Sequence, residues 1–413
     1  GAHGPLSARR VAAVLAGLSR DGEHDILQQH VAVEQAIVGT ALSAGNRVLL
    51  LQDGAATYPA MFAALEAASD HINLESYIIE DDEVGRRLSE VLLRKRAQGV
   101  QVNLLYDSVG SMRTPQAFFD RLREGGVQVL EFNPINPLSV RRAWLVNNRD
   151  HRKLLLVDGR TAFVGGVNFS RVHSGRSAAR SAGASAWRDT HLRIEGPAVQ
   201  EFQKLFAATW TKQGGAPLAG ARYFPPLEAR GGEMVRAIGS TPDDPHSLMY
   251  LTLLSAIAKA ERNVHITNAY FVPDPQLVEA LSEAARRGVD VRLLLPGESD
   301  SGPAFHAGRS HYAVLLRAGV KIHERRGALL HAKAATIDGV WSCVGSTNLD
   351  RRSFLHNDEV DATVLGRTFA AQMQAVFAAD LEASERIDPA RWEERSLDLR
   401  LKEWAARLLE YWL

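Results

Sequence analysis

The chain has 413 residues, 46% of them hydrophobic and 23% charged, with a formal net charge of zero. That balance belongs to a globular protein long enough for two cores, and it excludes a global basic field that would recruit nucleic acid or anionic lipid. Cys343 is the single cysteine, so no intrachain disulfide forms and it reads as a small core residue.

No run reaches the ~18 consecutive apolar residues of a membrane-spanning helix. The opening Gly1-Ala2-His3-Gly4 reads as a remnant of recombinant expression rather than a signal peptide, and a native upstream segment is left open. In chain order, residues 1–44 are expected to form an N-terminal helical segment, with 6–18 (Arg9, Arg10) as a weak amphipathic stretch. A first half-domain follows over 45–215. Its helix near 59–65 leads into a strand over 72–78, then a helix over 84–98, then Gly99-Val100 and a strand to Asp107. The linker is placed at 216–232, where Pro217, Gly220, Gly231 and Gly232 cluster. A second half-domain over 233–385 repeats the pattern: helix 251–260, strand 264–271, helix 275–287, Gly288-Val289, strand to Pro296. Apolar runs alternating with helices predict an α/β fold. Its two homologous halves are each a mixed, mostly parallel sheet flanked by helices, packed with pseudo-twofold symmetry.

The repeat extends to chemistry-bearing residues. His151-x-Lys153-x₄-Asp158 is followed by Gly165-Gly166-Val167-Asn168, and His331-x-Lys333-x₄-Asp338 by Gly345-Ser346-Thr347-Asn348, at identical intervals. Asp158-Gly159 and Asp338-Gly339 predict hairpin turns; a hairpin does not explain why His and Lys recur two apart in both copies. Residues i and i+2 of an extended strand share a face, so each His-Lys pair points one way. Two imidazoles and two ammonium groups converging on one pocket make a strong anion site, and Asn168 and Asn348 add neutral donors. Such a site suits a phosphodiester, whose equatorial oxygens carry the transition-state charge, with histidine as nucleophile or general acid.

The paired motif resembles the phospholipase D superfamily over roughly 45–385. Within it, 74–78 (Leu-Glu-Ser-Tyr-Ile), 268–273 (Asn-Ala-Tyr-Phe-Val-Pro), 295–300 and 345–354 with Asn357 and Glu359 are similar to bacterial cardiolipin synthases. The lack of two hydrophobic N-terminal helices is closer to the shorter synthases of that group. The resemblance implies that His151 attacks phosphorus to form a phosphohistidine and that His331 is the acid/base. It implies that Lys153, Lys333, Asn168, Asn348 and Ser346 hold the phosphate, and that Asp189 orients His151 while Glu359 orients His331. Asp158 and Asp338 complete the catalytic motifs and are expected to hold the hairpins and neighbouring lysines. Gly166 stands where the second copy has Ser346, leaving the first half one hydroxyl short. No cofactor or metal is implied, the lysines taking the metal's place, and no Asp/Glu/His cluster at metal-ligand spacing is visible.

The expected function is a phosphatidyl transferase making cardiolipin or a related phospholipid from phosphatidylglycerol or phosphatidylethanolamine and an alcohol acceptor. Hydrolysis by water is the alternative. A nuclease is disfavoured by the missing basic stripe and stacking groove, and a non-enzymatic scaffold by the intact motifs. A cytoplasmic protein held peripherally at the inner membrane is expected. Arg141 and Arg142 are candidates for a second lipid phosphate, or a solvated loop. Asp107 and Asp300 are pocket-mouth or capping residues; Glu75 and Tyr270 read as core. The stretch 173–186 reads as a mobile loop. In the C-terminal helix, placed over 386–413, Leu397, Leu401, Trp404, Ala405, Leu408 and Trp412 fall on one face. That face either docks on its own domain or meets a lipid–water interface.

Overall fold

The computed structural model describes residues 24–37, 41–134, 147–174, 187–244 and 247–408. Arg141, Arg142, the 6–18 segment, most of the 173–186 stretch and Trp412 lie outside them. The first half runs α1 (His24–Ile37), β1 (Ser43–Gln52), α2 (Asp53–Ala67), β2 (His71–Ser76), α3 (Glu83–Ala97), β3 (Gln101–Asp107), α4 (Gln116–Glu124), β4 (Gln128–Phe132), β5 (Arg149–Asp150), β6 (Lys153–Val157), β7 (Thr161–Gly165), β8 (Trp187–Arg188), β9 (Thr190–Glu195) and α5 (Val199–Lys212). The second runs β10 (Glu233–Ser240), α6 (Leu248–Lys259), β11 (Asn263–Thr267), α7 (Pro275–Arg286), β12 (Asp290–Pro296), α8 (Gly302–Arg309), α9 (Tyr312–Arg317), β13 (Lys321–Arg325), β14 (Leu329–Leu330), β15 (Ala334–Ile337), β16 (Trp341–Gly345), α10 (Arg351–Leu355), β17 (Asn357–Leu365), α11 (Arg367–Glu382), β18 (Ser384–Arg386), α12 (Pro389–Glu393) and α13 (Leu397–Arg407).

One continuous sheet carries both halves. Its order is β4-β3-β2-β6-β7-β9-β1 on one side, mirrored by β10-β17-β16-β15-β11-β12-β13 on the other, with β18 beyond β13. The antiparallel β1–β10 pair joins the halves. The parallel part is confined to β2-β3-β4 and β11-β12-β13. Other pairings on this path are antiparallel, which corrects the expectation of a mostly parallel sheet. The reason is local: each motif strand is a hairpin arm laid beside β2 or β11, and a short turn can only reverse direction.

Why the motif strands read as unbroken apolar runs is now clear. In β6, Leu155 and Val157 enter the outer core with α2, α3 and α4, while Leu154 and Leu156 enter a core shared by both halves. Both faces are covered, so alternation disappears; burial stabilises by about 1.5–3 kcal/mol for each such side chain. The shared core also takes Val344, Val360 and Ala362 from the second half, and Leu218, Tyr223 and Leu227 from the 216–232 stretch.

Asp158 and Gly159 both adopt positive φ (54° and 61°), as do Asp338 and Gly339 (56° and 69°), the type I′ geometry that fits a hairpin. The turns close through Arg160 N–H on Val157 O (3.0 Å) and Val340 N–H on Ile337 O (3.2 Å). Helix α1 lies against α6. Its buried Glu34 accepts from Trp341 Nε1 (2.6 Å) and Thr363 Oγ1 (3.2 Å) and pairs with Arg236.

Helix α13 docks on α8 through Ala406, which meets Val272, Ala304 and Ala307, while its Glu403 pairs with Arg395, just ahead of the helix, at 2.8 Å. Its predicted apolar face points the other way: Leu397, Leu401, Trp404 and Leu408 are 62–75% exposed. Small residues permit the close helix approach, so the docking side is Ala406 and not the leucine stripe. Trp392, on α12, is buried against Tyr312.

Candidate active site

Both motifs begin just before their strands, where the backbone leaves the sheet. His151 N–H donates to Asp358 O (2.9 Å) and His331 N–H to Arg188 O (2.8 Å). These bonds extend two short parallel pairings between the halves. β5 runs beside the start of β17, and β14 beside β8. Each histidine is thus stitched to a strand of the opposite half.

That stitching decides the acidic partners. His151 Nδ1 lies 3.0 and 3.1 Å from the Glu359 carboxylate oxygens, and His331 Nδ1 lies 2.7 Å from Asp189 Oδ2. The expected pairing of Asp189 with His151 and of Glu359 with His331 is therefore reversed. Asp189 follows β8, which is paired to the strand leading into His331; Glu359 lies on β17, paired to the strand leading into His151. Sequence proximity within a half said nothing about this exchange.

The lysines complete the convergence. Lys153 Nζ donates to His151 O and Lys333 Nζ to His331 O. Both lysines and both histidines are buried. Burial, then the charges of Lys153 and Lys333, hold His151 well below the ordinary imidazole range. Burial and the same two charges do so for His331. Burial also pushes Lys153 down to about 7 and Lys333 to about 8, each against nearby carboxylates. Crowded cations in low dielectric are under-neutralised, so the pocket favours an anion. Burial raises Glu359 to about 7, opposed by Lys153. Tyr77 stands edge-on to His151 at 5.0 Å, and Trp187 packs against His331 at 4.6 Å.

The neutral donors divide. Asn168 Oδ1 accepts from Ile78 N–H (3.1 Å), leaving a buried Nδ2 with no partner among the described residues. Asn348 takes its backbone N–H to Ser353 Oγ (3.3 Å), and its buried Oδ1 has no partner among the described residues. Ser346 is not a free phosphate donor as expected: its hydroxyl donates to Glu359 Oε2 (2.5 Å) and accepts from Val360 N–H (2.9 Å). Gly166, its counterpart, has no room for a side chain, since a Cβ there would lie 2.0 Å from Asp189 Oδ1.

Asp158 and Asp338 sit at the far end of the hairpins, away from the histidines. Asp158 accepts the N–H groups of Ser69, Asp70 and His71. Asp338 accepts those of Glu261, Arg262 and Asn263, and lies 3.1 Å from His30 Nε2. They brace the hairpins and do not touch the lysines or the pocket. Asp107 caps its own loop through Val109 and Gly110 N–H, and Asp300 accepts from Tyr270 Oη (2.5 Å). The buried carboxylate of Glu75 lies 3.7 Å from Arg152.

Residues that the motif pattern passes over also build the site. Arg152, between His151 and Lys153, turns to the opposite face and spans the halves through Glu359 O (3.0 Å) and Ser240 O (3.3 Å). Arg188 ties β8 to Asp380 of α11 (2.8 Å). His173 is fully buried, not loop-like as expected, with Nδ1 3.4 Å from Asp189 Oδ2. His173, Asp189 and His331 thus bring three ligand-type atoms within 4.8 Å, a cluster invisible in the sequence because it draws on both halves. Lys153 and Lys333 act on the same histidine and oppose a further cation there.

Comparison with known proteins bears on what this pocket belongs to. A family model described as "Cardiolipin synthase, PLD-like domain" matches residues 61–210 and 253–381. Cardiolipin synthase of Geobacillus kaustophilus is 36% identical over 372 residues, 89% of this chain and 72% of the relative. Cardiolipin synthase A of Pseudomonas entomophila is 38% identical over 353 residues, 83% and 70% respectively. Among solved structures, phosphatidylserine synthase of Haemophilus influenzae superposes with a TM-score of 0.65 at 13% identity, covering 93% of this chain and 100% of that one. Polyphosphate kinase of Porphyromonas gingivalis gives 0.55 at 13% identity over 83% of this chain and 49% of that chain. At those identities the two structures speak for the fold alone.

Proposed function

The chain belongs to the cardiolipin synthase family of phospholipase D-like phosphatidyltransferases, and from that premise we propose that it moves a phosphatidyl group between alcohols through a phosphohistidine on His151. The observation that carries this reading is the meeting of both His-Lys pairs in one buried pocket, each imidazole held at Nδ1 by a carboxylate. With its proton on Nδ1, directed at Glu359, His151 has its Nε2 lone pair free to attack phosphorus. The P–O bond to the leaving headgroup breaks, and His331 Nε2–H gives that alkoxide its proton. An incoming alcohol then loses its proton to His331 and attacks, the P–N bond breaks, and His151 is restored. Two in-line displacements retain configuration at phosphorus.

Lys153 and Lys333 supply charge to the equatorial oxygens, and the unpartnered Asn168 Nδ2 adds a donor. An arriving phosphodiester raises both lysines from their depressed range, so binding and full protonation reinforce one another. Phosphatidylglycerol as both donor and acceptor gives cardiolipin and glycerol. Incubating the protein with vesicles of phosphatidylglycerol, alone or mixed with phosphatidylethanolamine, and identifying products by lipid mass spectrometry tests this. Cardiolipin with released glycerol is expected. Phosphatidic acid as the sole product would assign the site to hydrolysis instead.

Substrates of this class reside in membranes, and no helix among the described residues is long and apolar enough to cross one. We propose a peripheral contact through the outward face of α13. Four large apolar side chains project from it. It rides on α8, which starts two residues after Asp300, whose charge reaches Lys333. Transfer of such side chains from water is worth about 1.5–3 kcal/mol each. The double change Leu401→Asp with Trp404→Asp is expected to weaken vesicle binding at least ~10-fold at unchanged melting temperature. Unaltered vesicle sedimentation would remove α13 from the contact.

A further inference from the structure

The two histidine–carboxylate pairs are built alike but supported differently. Glu359 receives hydrogen bonds from Ser346 Oγ (2.5 Å) and Asn357 Nδ2 (3.2 Å) besides its contact with His151. Asp189 has no equivalent hydroxyl, because Gly166 replaces Ser346 and a Cβ there would collide with the carboxylate. Its Oδ1 accepts Thr190 N–H (2.8 Å) and its Oδ2 faces His331. Beside Oδ2 also stands His173 Nδ1, at 3.4 Å. The His173 ring is completely buried, wedged edge-on between Trp187 (4.8 Å) and His331 (5.5 Å). Neither ring nitrogen has a hydrogen-bond partner among the described residues.

A buried imidazole without partners is costly. It persists where a turn of backbone fixes it: His173 N–H is bonded to Ser170 O, and its carbonyl is packed on Gly54 of α2. Resting on the reading of His331 as acid/base, we propose that His173 is a positioning residue that donates from Nδ1 to Asp189 and takes the place of the missing serine. The 3.4 Å separation is a few tenths of an ångström beyond an ordinary bond, and contacts of this kind tighten when substrate fills the site. Burial keeps His173 neutral, with its pKa at about 3, so it donates without adding a third positive charge.

The sign of the effect follows from charge. A donor on Asp189 makes that carboxylate less basic, and His331 releases its proton more readily. Removing the donor raises the His331 pKa, so the enzyme needs higher pH before His331 can deprotonate the acceptor alcohol. Lys153, Lys333 and His151 act on His331 from the pocket side. Asp53, Arg188 and His191 face Asp189 from α2, β8 and β9. All of these are unchanged by a substitution at 173.

The test compares His173→Phe, which fills the ring volume without an N–H, with His173→Asn, whose amide reaches the Nδ1 position. Wild type and His331→Asn serve as references, with phosphatidylglycerol vesicles as substrate. His173→Phe is expected to lower kcat roughly 10–100-fold with little change in KM. The acidic limb of its kcat–pH profile should move up by about one unit, and phosphorylated His151 should accumulate. His173→Asn should recover most of both effects. If His173→Phe keeps the wild-type profile, or if His173→Asn is no better while both melt lower, His173 is a space-filling residue and the proposal is overturned. If His331→Asn turns over like wild type, the reading of the site fails first and this inference falls with it.

Discussion

His151→Ala is expected to abolish phosphatidyl transfer, with a loss of at least ~10⁴-fold, because the attacking lone pair is lost with the ring and His331, the other carboxylate-held imidazole, serves as the acid/base. His331→Asn should behave differently. It leaves the nucleophile intact and removes the proton donor and acceptor, so a phosphatidyl-His151 adduct forms slowly and then persists. Mass measurement of the peptide carrying residue 151, quenched near neutral pH where phosphohistidine survives, separates the two variants. Turnover by His151→Ala would end its assignment as nucleophile. An adduct on His331 in place of His151 would reverse the order of roles.

The crossed carboxylates lead to the second large effect. Asp189→Asn should resemble His331→Asn, with a phosphoenzyme that accumulates and a turnover loss of roughly 10²–10⁴-fold, the scale seen when an amide replaces the carboxylate behind a catalytic histidine. Glu359→Gln should resemble a weakened His151, slow to form the adduct and showing no build-up. Rapid-quench measurement of adduct formation and decay assigns each carboxylate to its step. If Asp189→Asn instead slowed formation and Glu359→Gln slowed decay, the pairing read from hydrogen-bond geometry would not be the one that operates. Each change keeps the side-chain shape, so the contrast reports on the proton held at Nδ1 and not on packing.

Much of this was legible in the residues. The Asp-Gly turns, the apolar run of β6 and the doubled helix–strand order are local signals. A period, a turn residue or a repeat records them within a few positions, and the hairpins follow them closely. The parallel content was misjudged because an apolar run states that both faces are covered and leaves strand direction open. The outward stripe of α13 was ambiguous for a similar reason. Amphipathicity identifies a face without its partner, and Ala406, too small to mark a stripe, supplied the docking side.

The sequence by itself determined the chemistry: two His-Lys pairs, two asparagines and two turn aspartates at matched intervals, set in two matched halves. These are properties of residue type and spacing, and spacing is preserved whatever the halves do. Only the tertiary structure decided who serves whom. Glu359 stands behind His151 and Asp189 behind His331 because β5 pairs with β17 and β8 with β14 across the halves. Ser346 is spent on Glu359, Asp158 and Asp338 stay with the turns, and His173 comes to Asp189. Hydrogen bonds between strands of different halves carry no periodic signature along the chain, so the side chains they bring together can be read only once the chain has folded.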